Sequence, residues 1–424
     1  MGRILYAWEL GRNYGHVGTF LPLGLRLLEQ GHEIVVAAKD LIRIESVLGK
    51  HDFQVLQAPM WLAKARGLPE PQVTYADILL RVGFIDKTAL AVLVKAWRQL
   101  YDLVKPDLLI VDHAPRALLA AYGTNIRRVL LGNGFYVPPS VSPMPNMRPW
   151  LRVPAQRLLA AEQKALEIAN EVLQDLNGPR LNAIPDLFDV DENFLCTLGE
   201  LDPYREGRPE ARYWGPINIA EWGARPPWPS GEGKKIFAYL YPQYKDFKKI
   251  LQVLAEAPCS TLVHASGAPP DVINAFTSPS LHFSKEPVDM SYARESCNLA
   301  VCHAGPGTAT MMLLAGRPLL MLPNNLECAL MARSVQKLGA GLLFDPKNKN
   351  GNLKTFLQRL MEEAAFTEKA QAFAQQYADL DQERQLTQMV ARCEEIMAGE
   401  PDALTPLSKF PSRKNKPQRQ YIRQ

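Results

Sequence analysis

A chain of 424 residues is too long for one compact core, and at roughly 100–200 residues per domain it divides into about two to four units. Apolar residues make up 47% and charged residues 22%, which excludes a disordered or fibrous chain, and no stretch approaches the ~18 consecutive apolar residues of a membrane-spanning helix. The formal charge is +4, but the last twenty residues carry Lys409, Arg413, Lys414, Lys416, Arg419 and Arg423 with no acid, so the rest stands at about −2 and is no basic nucleic-acid binder.

The first residues, MGRILYAWELGRN, lack the basic start, apolar run and small-residue cleavage site of a secretory signal. They read as a strand entering a glycine-bearing loop. ILYAWEL, the loop GRNYGHVGT, the helical stretch FLPLGLRLLEQ and the run EIVVAA form a βαβ unit, which requires a parallel sheet. Leu90–Val104 follows as a helix, DLLIVD as a buried strand, RALLAAYG as a helix and RRVLLG as a strand. From Tyr136 to Pro154 the chain is dense in proline and cannot continue a sheet. That stretch is read as a lid over an acceptor, carrying Trp150, with a plain surface connection as the alternative. After an amphipathic helix, QRLLAAEQKALEIANEVLQDLN, a second proline- and glycine-rich stretch runs to about Gly233. The alternation then restarts with KKIFAYL, STLVHAS, NLAVCHA and RPLLMLP as strands, and ends in two long helices over about Leu353–Met397.

The fold class is therefore α/β: two Rossmann-like, doubly wound parallel-sheet domains in tandem, with C-terminal helices. The predicted boundaries are 1–205 for the first domain, 206–233 for a linker, 234–380 for the second domain, 381–400 for a C-terminal helix and 401–424 for a basic, disordered tail. The six cysteines are scattered without CxxC spacing, which fits a reduced, cytoplasmic setting.

Two places can carry chemistry. In VCHAGPGTATMMLLAGRPLLMLP (Val301–Pro323) a strand ends at His303, Gly305 and Gly307 open a turn, and Thr308 starts a helix. Unpaired N–H groups and the positive helix end suit an anion there, most naturally a diphosphate, with the imidazole and hydroxyl as added donors. A tight turn with no ligand is the bland alternative. The other place is the first βα loop, where His16 stands at the carboxyl edge of the sheet, with an ordinary pKa suited to proton abstraction. Asp112 ends DLLIVD at the same edge and can orient that imidazole, or else cap the helix that follows. His113 is a rival base. His32 reads as a surface-turn residue, His264 as a plain strand-end residue with a place bordering the second site as the alternative, and Met311 and Met312 as core.

GHVGTFLPLGLRLLEQGHEI near the start and HAGPGT…GRPLLMLPNNLE near the end resemble the two-domain GT-B nucleotide-sugar glycosyltransferases, in particular UDP-glycosyltransferases and bacterial macrolide-type transferases. YWGPI (Tyr213–Ile217) is similar to the segment that closes their first domain, and the likeness of plan covers most of residues 1–400. The resemblance implies an inverting transfer of a sugar from a nucleoside diphosphate to a hydroxyl. His16 is then the base, Asp112 its orienting carboxylate, His303, Gly305, Gly307 and Thr308 the diphosphate turn, and Glu327 the acid that touches sugar hydroxyls. It implies no cofactor and no metal, only a donor that is UDP- or dTDP-linked, with a phenolic, polyketide-like or lipid acceptor. Nucleic acid is not an expected partner, and the basic tail reads as a solvated end, with a weak membrane-surface contact at the inner face as the alternative. The pattern is departed from where the ribose-binding glutamate would be Met311, the glutamine after the acid is Cys328, and the base-stacking tryptophan and its glutamine fall near Lys285 and Val288. The serine/glycine loop after the second domain's first strand is FAYLYPQY. Losses of about 1–3 kcal/mol each retune a donor pocket without abolishing it. The competing expectation is a non-catalytic GT-B auxiliary or ligand-binding protein.

Overall fold

The computed structural model describes residues 1–11, 14–218, 223–345, 352–400 and 402. The basic tail, apart from Asp402, lies outside the described residues.

The first sheet contains β1 (Arg3–Trp8), β2 (Glu33–Ala38), β3 (Gln54–Gln57), β4 (Leu108–Asp112), β5 (Arg127–Gly132) and β6 (Glu192–Leu195). The second contains β7 (Lys234–Tyr239), β8 (Cys259–His264), β9 (Leu281–Ser284), β10 (Leu299–Cys302), β11 (Leu319–Met321) and β12 (Gly341–Leu343). Their orders are β3-β2-β1-β4-β5-β6 and β12-β11-β10-β7-β8-β9, with every pairing parallel. Both are the same doubly wound order, and in each the winding reverses at the centre. Ligands of such sheets bind beyond the carboxyl ends of the two central strands, which are β1 and β4 in one domain and β7 and β10 in the other.

Apart from Arg3 and Asp112 at their ends, both central strands of the first sheet are apolar because helices cover both faces. Leu5, Ala7, Leu109 and Val111 pack into one layer, and Ile4, Tyr6, Trp8, Leu108 and Ile110 into the other. The helix Gly15–Glu29 turns Val17, Phe20, Leu23, Gly24 and Leu27 inward at helical spacing. A Cβ at Gly24 would press on the Phe20 and Phe53 rings, so glycine is what lets them close on the helix.

The C-terminal segment forms three helices, Leu353–Glu362, Ala364–Gln376 and Gln382–Ala398, where two were predicted. The last returns to the first domain, burying Leu386, Met389, Cys393 and Ile396 against the layer that contains Trp8 and Leu27. His32, read as a surface-turn residue, is instead buried. Its Nδ1 accepts from the Gly2 N–H at 3.1 Å and its Nε2 meets Glu394 at 3.2 Å, so it ties the first strand to this returning helix.

The Pro138–Pro154 stretch is held at both ends of its course. Met144 and Met147 are fully buried, and Glu162 accepts from Ser142 Oγ at 2.8 Å. Trp150 meets the Arg333 guanidinium of the second domain at 4.1 Å, and Met147, Tyr204 and Leu330 cluster beside it. This connection therefore joins the two domains through packed side chains. Among the described residues no helix is long and apolar enough to cross a membrane.

Candidate active site

Strand pairing brings His16 and Asp112 together. Trp8, the last residue of β1, is opposite Asp112, the last of β4, so the loop leaving β1 starts beside that carboxylate. His16 Nδ1 meets Asp112 Oδ1 at 2.7 Å, and the Tyr6 hydroxyl donates to Oδ2 at 2.7 Å. With Nδ1–H turned to the carboxylate, the lone pair of Nε2 is the basic one. Gly11, at φ 86°, lies directly against Nε2: a Cβ there would stand 1.9 Å from it. Glycine at that position keeps the space beside the basic nitrogen clear.

Burial disfavours a charged imidazole, yet the charge of Asp112 and its hydrogen bond, with Glu327 behind them, outweigh that penalty and hold the His16 pKa above its ordinary 6.5. Activity that needs the neutral ring is then lost below a pH higher than 6.5. In Asp112→Asn desolvation is left to dominate. The acid limb of kcat against pH is expected to move to lower pH, while kcat itself falls by about 10²-fold or more because the imidazolium loses its partner. An acid limb that stays in place would show that Asp112 does not set the protonation of His16.

Asp112 is free for this role because the helix cap is supplied by another residue. The helix Pro115–Ala121 is capped by Glu9, whose carboxylate accepts from the Arg116 N–H at 3.2 Å and the Ala117 N–H at 2.9 Å. Glu9 also pairs with the Arg116 guanidinium at 3.0 Å, and neither residue is exposed at all. His113, the rival base, sits at φ 48° and stacks on Tyr136 with ring centres 4.9 Å apart. Burial pushes its pKa well down, and its Nε2 is buried without a hydrogen-bond partner. It forms a wall of the site beside His16, 6.0 Å away.

In the second domain, β10 ends at Cys302 and the chain turns through Ala304, at φ 56°, into the helix Pro306–Leu314. A Cβ at Gly305 or at Gly307 would meet nothing within 4 Å, so open space lies over the helix start. The N–H groups of Gly307 and Thr308 belong to the first turn, which has no acceptors of its own. His303 is not offered as a donor. Its Nδ1 bonds the Leu322 carbonyl at 2.7 Å, its Nε2 accepts from the Tyr241 N–H at 2.9 Å, and the Tyr241 ring stacks on it at 4.8 Å. Burial lowers its pKa, as suits a neutral ring used on both sides. The imidazole therefore fastens the turn to the ends of both neighbouring strands, and the groups left open at the helix start are backbone N–H groups.

Glu327 lies in the first turn of the helix Leu326–Leu338, which Asn325 caps. Its carboxyl is raised by burial, against the opposing effects of an Asn133 hydrogen bond and the nearby His16. Asn133 Nδ2 donates to Glu327 Oε1 at 2.6 Å, across the cleft between the domains. Sequence reading missed Asn133, although it stands one residue beyond β5 at the same carboxyl edge that singled out Asp112. Met311, Cys328 and Val288 are buried and Lys285 is exposed. His264 is buried at the end of β8, against Tyr239, with Nδ1 unpartnered.

Residues 285–396 match the family described as erythromycin biosynthesis protein CIII-like, C-terminal domain. Over the whole chain, the calicheamicin glycosyltransferase CalG4 superposes with a TM-score of 0.70 at 17% identity, covering 94% of this chain and 98% of that one. The glycosyltransferase VinC, crystallised with dTDP, superposes with a TM-score of 0.65 at 17% identity, covering 94% and 100%. The fold is GT-B, and the chain resembles the macrolide-type glycosyltransferases. A PGL/p-HBAD biosynthesis glycosyltransferase of Mycobacterium tuberculosis is 23% identical over 339 residues, 73% of this chain and 76% of that protein.

Proposed function

We propose that this GT-B chain is an inverting glycosyltransferase that moves a sugar from a UDP- or dTDP-linked donor to a hydroxyl of a small-molecule or lipid acceptor. The observation that carries the reading is the buried 2.7 Å His16–Asp112 pair, set at the winding reversal of its sheet with Nε2 beside a cleared space. A binding module has no need of a carboxylate-supported base. The acceptor hydroxyl gives its proton to Nε2 as its oxygen attacks the anomeric carbon, and the bond from that carbon to the diphosphate oxygen breaks on the opposite face. Asp112 stabilises the imidazolium. Charge gathering on the departing diphosphate meets the N–H groups of Gly307 and Thr308 at the positive end of the helix Pro306–Leu314. Glu327 accepts from sugar hydroxyls, and domain closure excludes water from the reacting atoms.

The nucleotide choice draws on VinC and on the spinosyn rhamnosyltransferase SpnG, which were crystallised with dTDP and thymidine diphosphate. SpnG was also crystallised with its spinosyn aglycone, and the mycobacterial relative is named for PGL/p-HBAD biosynthesis. These favour a polyketide-like or phenolic acceptor here. Thermal unfolding with UDP, dTDP, GDP and ADP tests the donor half. UDP or dTDP at 100 times its dissociation constant is expected to add about 2.7 kcal/mol, a readily measured rise in Tm. No rise with any of the four would remove the donor reading and leave an auxiliary GT-B protein.

A further inference from the structure

We propose that Asn133 is a positioning residue for donor-sugar recognition: it holds one oxygen of Glu327 across the closed cleft and leaves the other for a sugar hydroxyl. This rests on the donor reading above and adds to it a residue from the opposite domain. Asn133 follows β5, and its own amide is fixed from two sides. Oδ1 accepts from the Phe135 N–H at 3.0 Å, which orients Nδ2 toward Glu327 Oε1 at 2.6 Å. Glu327 accepts no other hydrogen bond among the described residues.

The segment that carries Asn133 is clamped. The Arg208 guanidinium reaches Asp202 at 2.6 and 2.8 Å and the Gly134 carbonyl at 3.0 Å. The Tyr213 hydroxyl donates to the same Asp202 at 2.8 Å. A Cβ at Gly134 would stand 2.2 Å from Asp202 Oδ1, so glycine permits this approach. Two residues further on, Tyr136 packs on His16 with ring centres 5.1 Å apart. One rigid turn thus touches the base on the acceptor side and the carboxylate on the donor side. Pairing a neutral amide with Glu327 neither neutralises its charge nor competes for a proton. Opening the cleft breaks the bond, so the carboxylate is correctly aimed only when the domains are closed. The titratable and charged groups facing Glu327 are His16, Asp112 and Tyr136 from the first domain and Cys328 from its own helix.

The test uses calorimetric titration of the full chain with UDP and dTDP, and with UDP-glucose and dTDP-glucose, for the unaltered protein, Asn133→Ala and Asn133→Asp. Asn133→Ala is expected to weaken the nucleotide-sugar by about tenfold while nucleoside diphosphate affinity stays within about twofold. In Asn133→Asp two carboxylates face each other. Their repulsion grows as they ionise, so the loss relative to the unaltered protein is expected to increase as the pH rises through the titration of the pair. Retained nucleoside diphosphate binding reports that each variant is folded. Equal weakening of both ligand types, no weakening of either, or a pH-independent loss in Asn133→Asp would overturn the role given to Asn133 alone. Failure of the unaltered protein to bind UDP or dTDP would overturn the donor site itself, and this inference with it.

Discussion

Replacing His16 with alanine is expected to lower kcat by about 10²–10⁴-fold while the dissociation constant for the nucleoside diphosphate stays within about twofold. No neighbouring group can take over the proton. The only other imidazole in the cluster among the described residues is His113, whose Nε2 is buried without a partner and whose pKa is pushed well down by burial. Tyr6 already donates to Asp112, and burial with that carboxylate raises its pKa far above neutrality. The proposed donor contacts lie in the other domain, so single-turnover kinetics and nucleotide titration separate the two effects. Parallel loss of transfer and nucleotide binding would mean that His16 shapes the cleft rather than serving as the base.

Arg116→Ala is expected to cost about 3–5 kcal/mol of stability, read from chemical denaturation. Glu9 and Arg116 are both 0% exposed, and the same Glu9 carboxylate caps the helix that starts just beyond Asp112. Removing the guanidinium leaves a carboxylate in the interior whose pKa burial already raises. Replacing both partners together, as Glu9→Gln with Arg116→Met, removes the charges as a pair and is expected to recover much of the loss. A single-variant cost below about 1 kcal/mol would contradict a charge-dependent interior pair.

The α/β class and eight of the strands were legible because inner strands are apolar runs bounded by turns. The four strands that were not recognised are β3, β6, β9 and β12, and each lies at an edge of its sheet. They are three or four residues long, and β3, QVLQ, has exposed ends. An edge strand buries one side only and borrows its hydrogen bonds from a neighbour distant in sequence, so its own residues carry a weak signal. The candidate site was legible to the extent that its residues end strands. His16 and Asp112 follow from the rule that ligands gather at the carboxyl edge. The same rule applied to Glu9, just past β1, and Asn133, just past β5, would have raised both.

Alternating apolar runs, glycine turns and proline-rich breaks determined by themselves that this chain builds doubly wound α/β units and which residues end their strands. These are local signals, carried by side-chain periodicity within one element. Tertiary structure alone decided how each polar group is used. Glu9 rather than Asp112 caps a helix, His303 spends both nitrogens on the ends of the neighbouring strands, and His32 joins the first strand to a helix more than 360 residues away. Asn133 and Glu327 meet across 194 residues. A hydrogen bond is decided by distances of a few tenths of an ångström between groups that folding brings together, and no spacing along the chain records them.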